Sequence, residues 1–234
     1  MYAKIITAIC NRFPEVIPHL QGKARWIACA NNPTEYKTVE FFQRTVERLI
    51  ASVYRADIQS EFIDIMANLI SGQLRQAVEQ AWKDEGGDGA IPAYLNELVM
   101  SATVRQFAFV DRLYADIVNA RELELPLEPL TRRASLWAQR WTETYNEAIT
   151  LIVGARGGNL VWRLGATKEH CSTCAALDGI VAAASEWEML NVRPQAAPNP
   201  VLECGGWRCG CSLQPTTQRR SPNAVDTIMN IVSR

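Results

Sequence analysis

The stretch Cys204-Gly-Gly-Trp-Arg-Cys209-Gly-Cys211 carries three cysteines in eight residues, and 29 positions separate it from the pair Cys171-Ser-Thr-Cys174. Two thiolates with two residues between them can bind one tetrahedral ion, with metal–sulfur distances of about 2.3 Å. The glycines of the later stretch leave its backbone free to turn the sulfurs inward. Together the two stretches predict a thiolate metal site in this part of the chain.

The candidate ligands are the clustered cysteines, Cys171, Cys174, Cys204, Cys209 and Cys211. A structural zinc site needs four of them, and either Cys204 or Cys211 can complete a set made with the other three. The surrounding segment has few large apolar residues, so we expect zinc to stabilise its fold, by about 10 kcal/mol on the scale of zinc-finger peptides. The alternative is that all five are small buried apolar residues.

The composition of the whole chain is that of an ordinary soluble protein. Its 234 residues are 48% hydrophobic and 21% charged, which excludes a disordered, collagen-like or disulfide-dominated miniprotein. With 24 basic and 25 acidic residues the net charge is −1, which argues against a protein built chiefly to coat nucleic acid. We therefore expect a globular protein with a substantial apolar core.

The surroundings of the protein are predicted from its apolar stretches and its cysteines. The N-terminus lacks the features of a signal peptide, and charged residues interrupt every apolar stretch before about 18 residues, so no membrane association is expected. In a reducing cytoplasm clustered cysteines are more often metal ligands or free thiols than disulfides. Cys10 and Cys29 have no partner by spacing and are expected to be ordinary core thiols.

Upstream of the cysteines the sequence predicts long helices. Apolar residues recur at three- and four-residue steps over residues 33–83, where Gly72 marks a joint or a close contact. A glycine-rich break follows, and a second helix begins near Pro92. A third covers about 130–153 and carries a stripe of Trp137, Trp141 and Tyr145. Such a stripe can bind a ligand, but its helical spacing favours burial against the first two helices.

The sequence changes character after this third helix. Short strands are predicted at 159–164, 179–181 and 207–213, helical turns at 185–190, and a proline-rich loop at 194–200. The expected fold class is α+β, with a mainly α-helical N-terminal body and a small, loop-rich, zinc-stapled α+β module at the C-terminal end. The expected domains are the body at 1–154, the cysteine module at 155–215 and a tail with a short amphipathic helix at 216–234.

The residues offer little support for an enzyme. His19 and His170 are the two histidines of the chain, which limits acid–base chemistry, and no phosphate-binding glycine loop is present. His170 adjoins Cys171, so we expect it to point away from an ion bound there and to be a poor partner for a nucleophilic thiol. A non-catalytic protein is therefore predicted.

The order of motifs is similar to that of a known family. The matching positions are Arg132, Arg133, Trp141, Asn146 and Ala148 on a helix, then Val161-Trp162, Ala166-Thr167-Lys168-Glu169-His170-Cys171, Cys174-Ala-Ala-Leu177-Asp178-Gly179 and Gly206-Trp207-Arg208-Cys209-Gly210-Cys211-Ser212-Leu213. Over about residues 130–215 the chain resembles the phage Mu F-like minor head proteins, also called head morphogenesis proteins. Two positions depart from the family pattern, since Gly206 replaces a histidine and Gly210 an arginine. If that histidine is a metal ligand in the family, Cys204 replaces it here.

The resemblance implies a structural minor head protein of a tailed phage, located in the virion at the portal vertex or the inner capsid face. Its implied partners are the portal protein and the major capsid protein, with several copies per virion assembled in the bacterial cytoplasm. Its implied role is to assist head assembly, DNA packaging or ejection.

Contact with DNA is a weaker expectation from the C-terminal residues. Residues 205–234 contain four arginines and one aspartate, so they can contact DNA phosphates, although a solvated terminus explains the same charges. The alternative function is a metal-dependent nuclease or DNA-binding factor built on the same cysteines.

Overall fold

The computed structural model describes residues 39–55, 59–166, 169–207 and 209–233, and the chain divides into two compact units. The helical unit consists of Met1–Gln80 and Gly89–Thr144, and the cysteine unit of Ala81–Asp88 and Tyr145–Arg234. The boundary therefore lies before Tyr145, whereas the sequence predicted it after residue 154. Residues 216–234, predicted to be a separate tail, belong to the cysteine unit.

Long helices make up the first part of the described chain. They are α1 Val39–Arg55, α2 Gln59–Asp84, α3 Ala93–Glu122, the single turn α4 Glu128–Thr131, and α5 Ala134–Ala155. The helix predicted over 33–83 is thus two helices within the described residues, and Pro92 is the N-cap of α3. α2 continues through Gly72, which is buried, so that glycine marks a close contact and not a joint.

The helical unit has an apolar core formed by one face of each helix. On α1 the buried residues recur at steps of three and four, as predicted, and they are Phe42, Val46, Leu49, Ile50 and Val53. Trp137 of α5 is buried in the same core, which confirms the structural interpretation of the aromatic stripe at that position. A buried amide is satisfied there too, because Gln73 Nε2 donates to the carbonyl oxygen of Ala138 at 3.0 Å.

The cysteine unit contains a small antiparallel sheet and short helices. In chain order the elements are β1 Asn159–Arg163, α6 Ser172–Leu177, β2 Val181–Ala183, α7 Ala184–Met189, β3 Ser212–Thr216 and α8 Ala224–Val232. The strand order is β2-β1-β3, so β1 is central, with Leu160 opposite Ala182 on one side and Pro215 on the other. The α+β fold class is confirmed. Within the described ranges, no helix combines the length and apolar character needed to cross a bilayer.

Two of the predicted strands are displaced. The strand expected over 207–213 begins only at Ser212, because the preceding residues form turns that present cysteines. The strand expected over 179–181 begins at Val181, since Gly179 has a φ of +79° in the turn after α6. The predicted turns at 185–190 correspond to α7, and the loop at 194–200 has no regular structure.

Two tryptophans form the centre of the cysteine unit. Trp162 and Trp187 are fully buried, and their ring centroids lie 5.8 Å apart. The indole Nε1 of Trp187 donates to the carbonyl oxygen of Leu160 at 3.2 Å, which ties α7 to β1. These are the two largest fully buried side chains among the described residues.

Both outer strands have modified edges. The backbone N–H of Ser221 donates to the carbonyl oxygen of Val181 at 2.9 Å, and the N–H of Val181 donates to Ser221 Oγ at 3.0 Å. On the other side, β3 includes Pro215, which has no N–H to donate.

Candidate metal centre

The first cysteine pair lies at the beginning of α6. Cys171 is the N-cap residue, in extended conformation, and its Sγ accepts a hydrogen bond from the N–H of Cys174 at 3.4 Å. The carbonyl oxygen of Cys171 accepts from the N–H of Ala175 at 3.0 Å, as in the first turn of a helix. The C-x2-C spacing therefore places both sulfurs on the same side of this turn.

The turn that carries Cys204 depends on its glycines. Gly205 and Gly206 have φ values of +59° and +76°, and the carbonyl oxygen of Gly205 accepts from the N–H of Asn199 at 2.8 Å. A Cβ on Gly206 would lie 3.0 Å from the carbonyl carbon of Ala196. A side chain is therefore disfavoured at Gly206 by both its conformation and its neighbours.

The final pair of cysteines is held by a close backbone contact. A Cβ on Gly165 would lie 2.0 Å from the carbonyl oxygen of Gly210, so the chain after β1 packs directly on the segment from Cys209 to Cys211. Gln195 Nε2 also donates to the carbonyl oxygen of Cys211 at 2.8 Å. These contacts hold the backbone of the C-x-C segment in place.

Glu203 connects the Cys204 turn to the first cysteine pair. Its carboxylate accepts from the N–H of Ser172 at 2.7 Å and from the hydroxyl of Ser172 at 2.6 Å. The N–H of Glu203 donates in return to Thr173 Oγ1 at 3.3 Å. The Ser172 hydrogen bonds lower the pKa of the Glu203 carboxyl below its usual value. The sequence motifs did not indicate Glu203 as a functional residue. Its position next to Cys204 is the feature of the sequence that points to it.

The sulfurs fall into two overlapping groups of three. Cys171, Cys174 and Cys204 have Sγ atoms within 4.8 Å of one another, and so do Cys174, Cys209 and Cys211. The Sγ atom of Cys174 is 4.0 Å from that of Cys204 and 3.9 Å from that of Cys209. All five are free thiols, and all five predicted ligands are brought together. This cluster can hold a metal ion.

Proton sharing within the cluster separates the pKa values of the thiols. The hydrogen bond between Cys174 and Cys209 lowers the pKa of Cys209 to about 5 and raises that of Cys174. Burial raises the pKa of Cys204 to about 11 and also raises that of Cys211. Burial opposes ionisation of Cys171, but hydrogen bonds from Cys174 outweigh it and lower its pKa. An ion that binds the thiols with raised pKa values must therefore displace their protons.

His170 lies nearer to the cluster than the sequence suggested. Its Nδ1 atom is 4.0 Å from the Sγ atom of Cys211, although the residue was expected to point away because it adjoins Cys171. His170 is in neither of the two groups of ligand atoms, and its imidazole approaches the cluster at Cys211. His19, Cys10 and Cys29 lie outside the described residues.

Of the four arginines proposed for DNA contact, the structure describes two. Arg219 and Arg220 are exposed, and the guanidinium of Arg220 forms an ion pair with Glu186. Arg208 and Arg234 lie outside the described residues. Ile228 of the predicted amphipathic helix is buried, and α8 packs against α6 and β2. The apolar face of α8 is thus used within the cysteine unit.

Searches against protein-family models, curated proteins and solved structures gave no match to this chain. The support for a function comes instead from the order of sequence motifs and from the geometry of the sulfur cluster. A donor set made of thiolates suits soft or borderline ions such as zinc, and sets of four are typical of closed structural sites.

Proposed function

We propose that the cysteine unit is a metal-stabilised module and that zinc is its ion. The observation that supports this proposal is the sulfur spacing of 3.9 and 4.0 Å around Cys174. Disulfide sulfurs lie about 2.05 Å apart, whereas two ligands of a tetrahedral zinc–thiolate site lie about 3.8 Å apart. The thiols come from two distant stretches of chain, so an ion between them would cross-link the unit.

We further propose that the protein is a structural component of a tailed-phage head, docking at the portal vertex or inner capsid face. The support is the order of motifs from Arg132 and Arg133, which lie in the turn before α5, to Leu213, an order that resembles the Mu F-like minor head proteins. In this proposal the portal protein and the major capsid protein are the partners, the virion is the location, and the helical unit supplies docking surface. The role is to assist assembly, packaging or ejection, without catalysis.

Metal content tests the first part of the proposal. The chain purified without added metal is expected to contain zinc, and a strong chelator is expected to lower its melting temperature. Cys174→Ser is expected to lose bound zinc, because Cys174 belongs to both sulfur groups. The matched control Cys10→Ser is expected to keep it. A metal-free protein with a chelator-independent melting curve would contradict the proposal.

Co-purification with the portal ring of the virus that encodes the chain tests the second part. The chain is expected to elute with the ring, while an unrelated protein of similar size, added as a control, is not. Absence of the chain from both the ring and purified heads would overturn the structural role. If cleavage of DNA that depends on a divalent ion accompanied this result, the nuclease alternative would replace it.

A further inference from the structure

The arrangement of the five thiols differs from that of a simple four-ligand site. In a tetrahedral site all four sulfurs are mutual neighbours, about 3.8 Å apart. Among the described residues, the groups whose ligand atoms all lie within 4.8 Å have three members and not four. One ion bound to four of these cysteines would therefore have to draw at least one sulfur out of its own group. Each group alone can supply three sulfur ligands to one ion.

The two groups share a single sulfur. Cys174 Sγ lies 4.0 Å from Cys204 Sγ in one group and 3.9 Å from Cys209 Sγ in the other. A thiolate has enough lone pairs to bind two metal ions at once. When it does, the terminal sulfurs of each ion stay close together and those of different ions lie farther apart. That is the pattern of distances in this cluster.

We propose that the cluster binds two soft metal ions with Cys174 as the bridging ligand. Cys171 and Cys204 are the terminal ligands of the first ion, and Cys209 and Cys211 are those of the second. The inference rests on the proposed metal-binding function of the module and extends it from one ion to two. It assigns a role to every cysteine of the cluster, including the one that a single tetrahedral ion leaves over.

The surroundings of the two groups differ in a way that fits two sites. His170 Nδ1 lies 4.0 Å from Cys211 Sγ, so the imidazole adjoins the second group at Cys211, although it is not within 4.8 Å of all three sulfurs of that group. In the first group Cys171 and Cys204 are each half-buried, whereas in the second group Cys209 is half-buried and Cys211 is buried. The second ion is therefore the more enclosed of the two.

Metal stoichiometry tests the proposal. The full-length chain carrying Cys10→Ser and Cys29→Ser, so that every remaining thiol belongs to the cluster, is titrated with Zn²⁺ or Cd²⁺ without oxygen, and native mass spectrometry counts the ions. Two ions per chain are expected. With ¹¹³Cd²⁺, NMR is expected to show two resonances split by coupling through the shared sulfur.

Substitutions then assign each ion. Cys204→Ser and Cys211→Ser are each expected to reduce the count from two to one, and Cys174→Ser is expected to abolish the coupled pair. A count of one in the parent protein would overturn the second ion while leaving the metal-stabilised module in place. A count of zero would overturn both.

Discussion

Tyr145 illustrates how one residue makes stability depend on pH. Burial raises the pKa of its phenol, and the hydrogen bond that its Oη donates to Asp84 Oδ2 at 2.7 Å raises it further. The folded protein therefore resists ionisation of this group more than the unfolded chain does, where its pKa is near 10.0. The stabilisation is fully present below pH 10 and is lost as the pH rises beyond it.

We expect Tyr145→Phe to reduce the free energy of unfolding by about 1 kcal/mol at pH 7, because it removes this hydrogen bond. The difference from the parent protein is expected to shrink above pH 10, where the unfolded parent ionises. Urea unfolding of both proteins at pH 7 and pH 10.5 measures it. Tyr94→Phe, in the helical unit, is the control. Equal stability of parent and variant at pH 7 would show that the hydrogen bond contributes nothing.

Glu203 is the residue that joins the two cysteine segments before any ion binds. We expect Glu203→Ala to weaken zinc binding by about tenfold, the lower end of the effects seen for groups that orient metal ligands. Glu203→Gln, which keeps an oxygen to accept from Ser172, is expected to recover part of that loss. Competition with a chelator of known affinity measures the change.

The control for Glu203 is Glu188→Ala on α7, which removes a carboxylate from the same unit at a distance from the cysteines in sequence. It is expected to leave zinc affinity unchanged. If Glu203→Ala and Glu188→Ala bind zinc equally well, Glu203 does not position the ligands. An altered Co²⁺ absorption spectrum in Glu203→Ala would separate a changed ligand geometry from a general loss of stability.

At the residue scale, the sequence was informative about ligands and poor on their supports. All five cysteines were predicted because C-x2-C and C-x-C spacings are local signals. The contact of Glu203 with Ser172 was not predicted, and neither was the approach of His170 to Cys211. Both depend on chain segments that meet only in the folded protein. Residue spacing cannot show that Glu203 reaches Ser172, or that His170 reaches Cys211.

At the scale of elements, the approach of the chain after β1 to the C-x-C segment is the most demanding contact. We expect Gly165→Ala to destabilise the cysteine unit by about 2 kcal/mol or more, because its Cβ cannot fit against Gly210. Zinc affinity is expected to fall with it, since Cys209 and Cys211 must move. Denaturant unfolding and metal competition measure the two effects.

The matched control is Gly154→Ala in α5. There a Cβ meets nothing nearer than the Ala184 Cβ at 3.6 Å, which is an ordinary contact. Since alanine favours helix over glycine, this variant is expected to be as stable as the parent or up to about 1 kcal/mol more stable. If both alanine variants behaved alike, the close packing at Gly165 would not be essential.

Helices were predicted more accurately than strands. The three- and four-residue periodicity of α1 matches its buried face, because a long amphipathic helix repeats its signal several times. The strands have three to five residues, and their ends are set by turns such as those at Gly179 and Gly206. Such short elements carry too few residues for alternation to locate their ends.

At the scale of the molecule, the chain divides into two compact units, and the sulfur cluster belongs to one of them. We expect metal removal to affect the cysteine unit selectively. After chelation, amide hydrogen exchange is expected to accelerate at least tenfold in β1 and α6 and to remain unchanged in α1 and α3. Hydrogen exchange measured by mass spectrometry, with and without the chelator, checks this.

The complementary variant is Phe42→Ala, which removes a fully buried side chain from the helical unit. It is expected to reduce the free energy of unfolding of the helical unit by about 3–5 kcal/mol and to leave the metal content of the cysteine unit unchanged. If chelation accelerated exchange equally in both units, their stabilities would be coupled, and the prediction of a selective effect on the cysteine unit would be wrong. The sequence predicted a body at 1–154, a module at 155–215 and a tail at 216–234, whereas the chain divides before Tyr145 and residues 216–234 belong to the cysteine unit.

The two edge strands of the small sheet, β2 and β3, influence how the protein behaves at high concentration. An exposed strand edge can recruit a strand from another molecule, which is a common route to aggregation. In β2 the outward N–H and C=O of Val181 are already occupied by Ser221, and in β3 Pro215 interrupts the row of donors. Because both edges are protected in this way, the sheet is expected to stay three-stranded when many copies of the protein accumulate in a crowded cell.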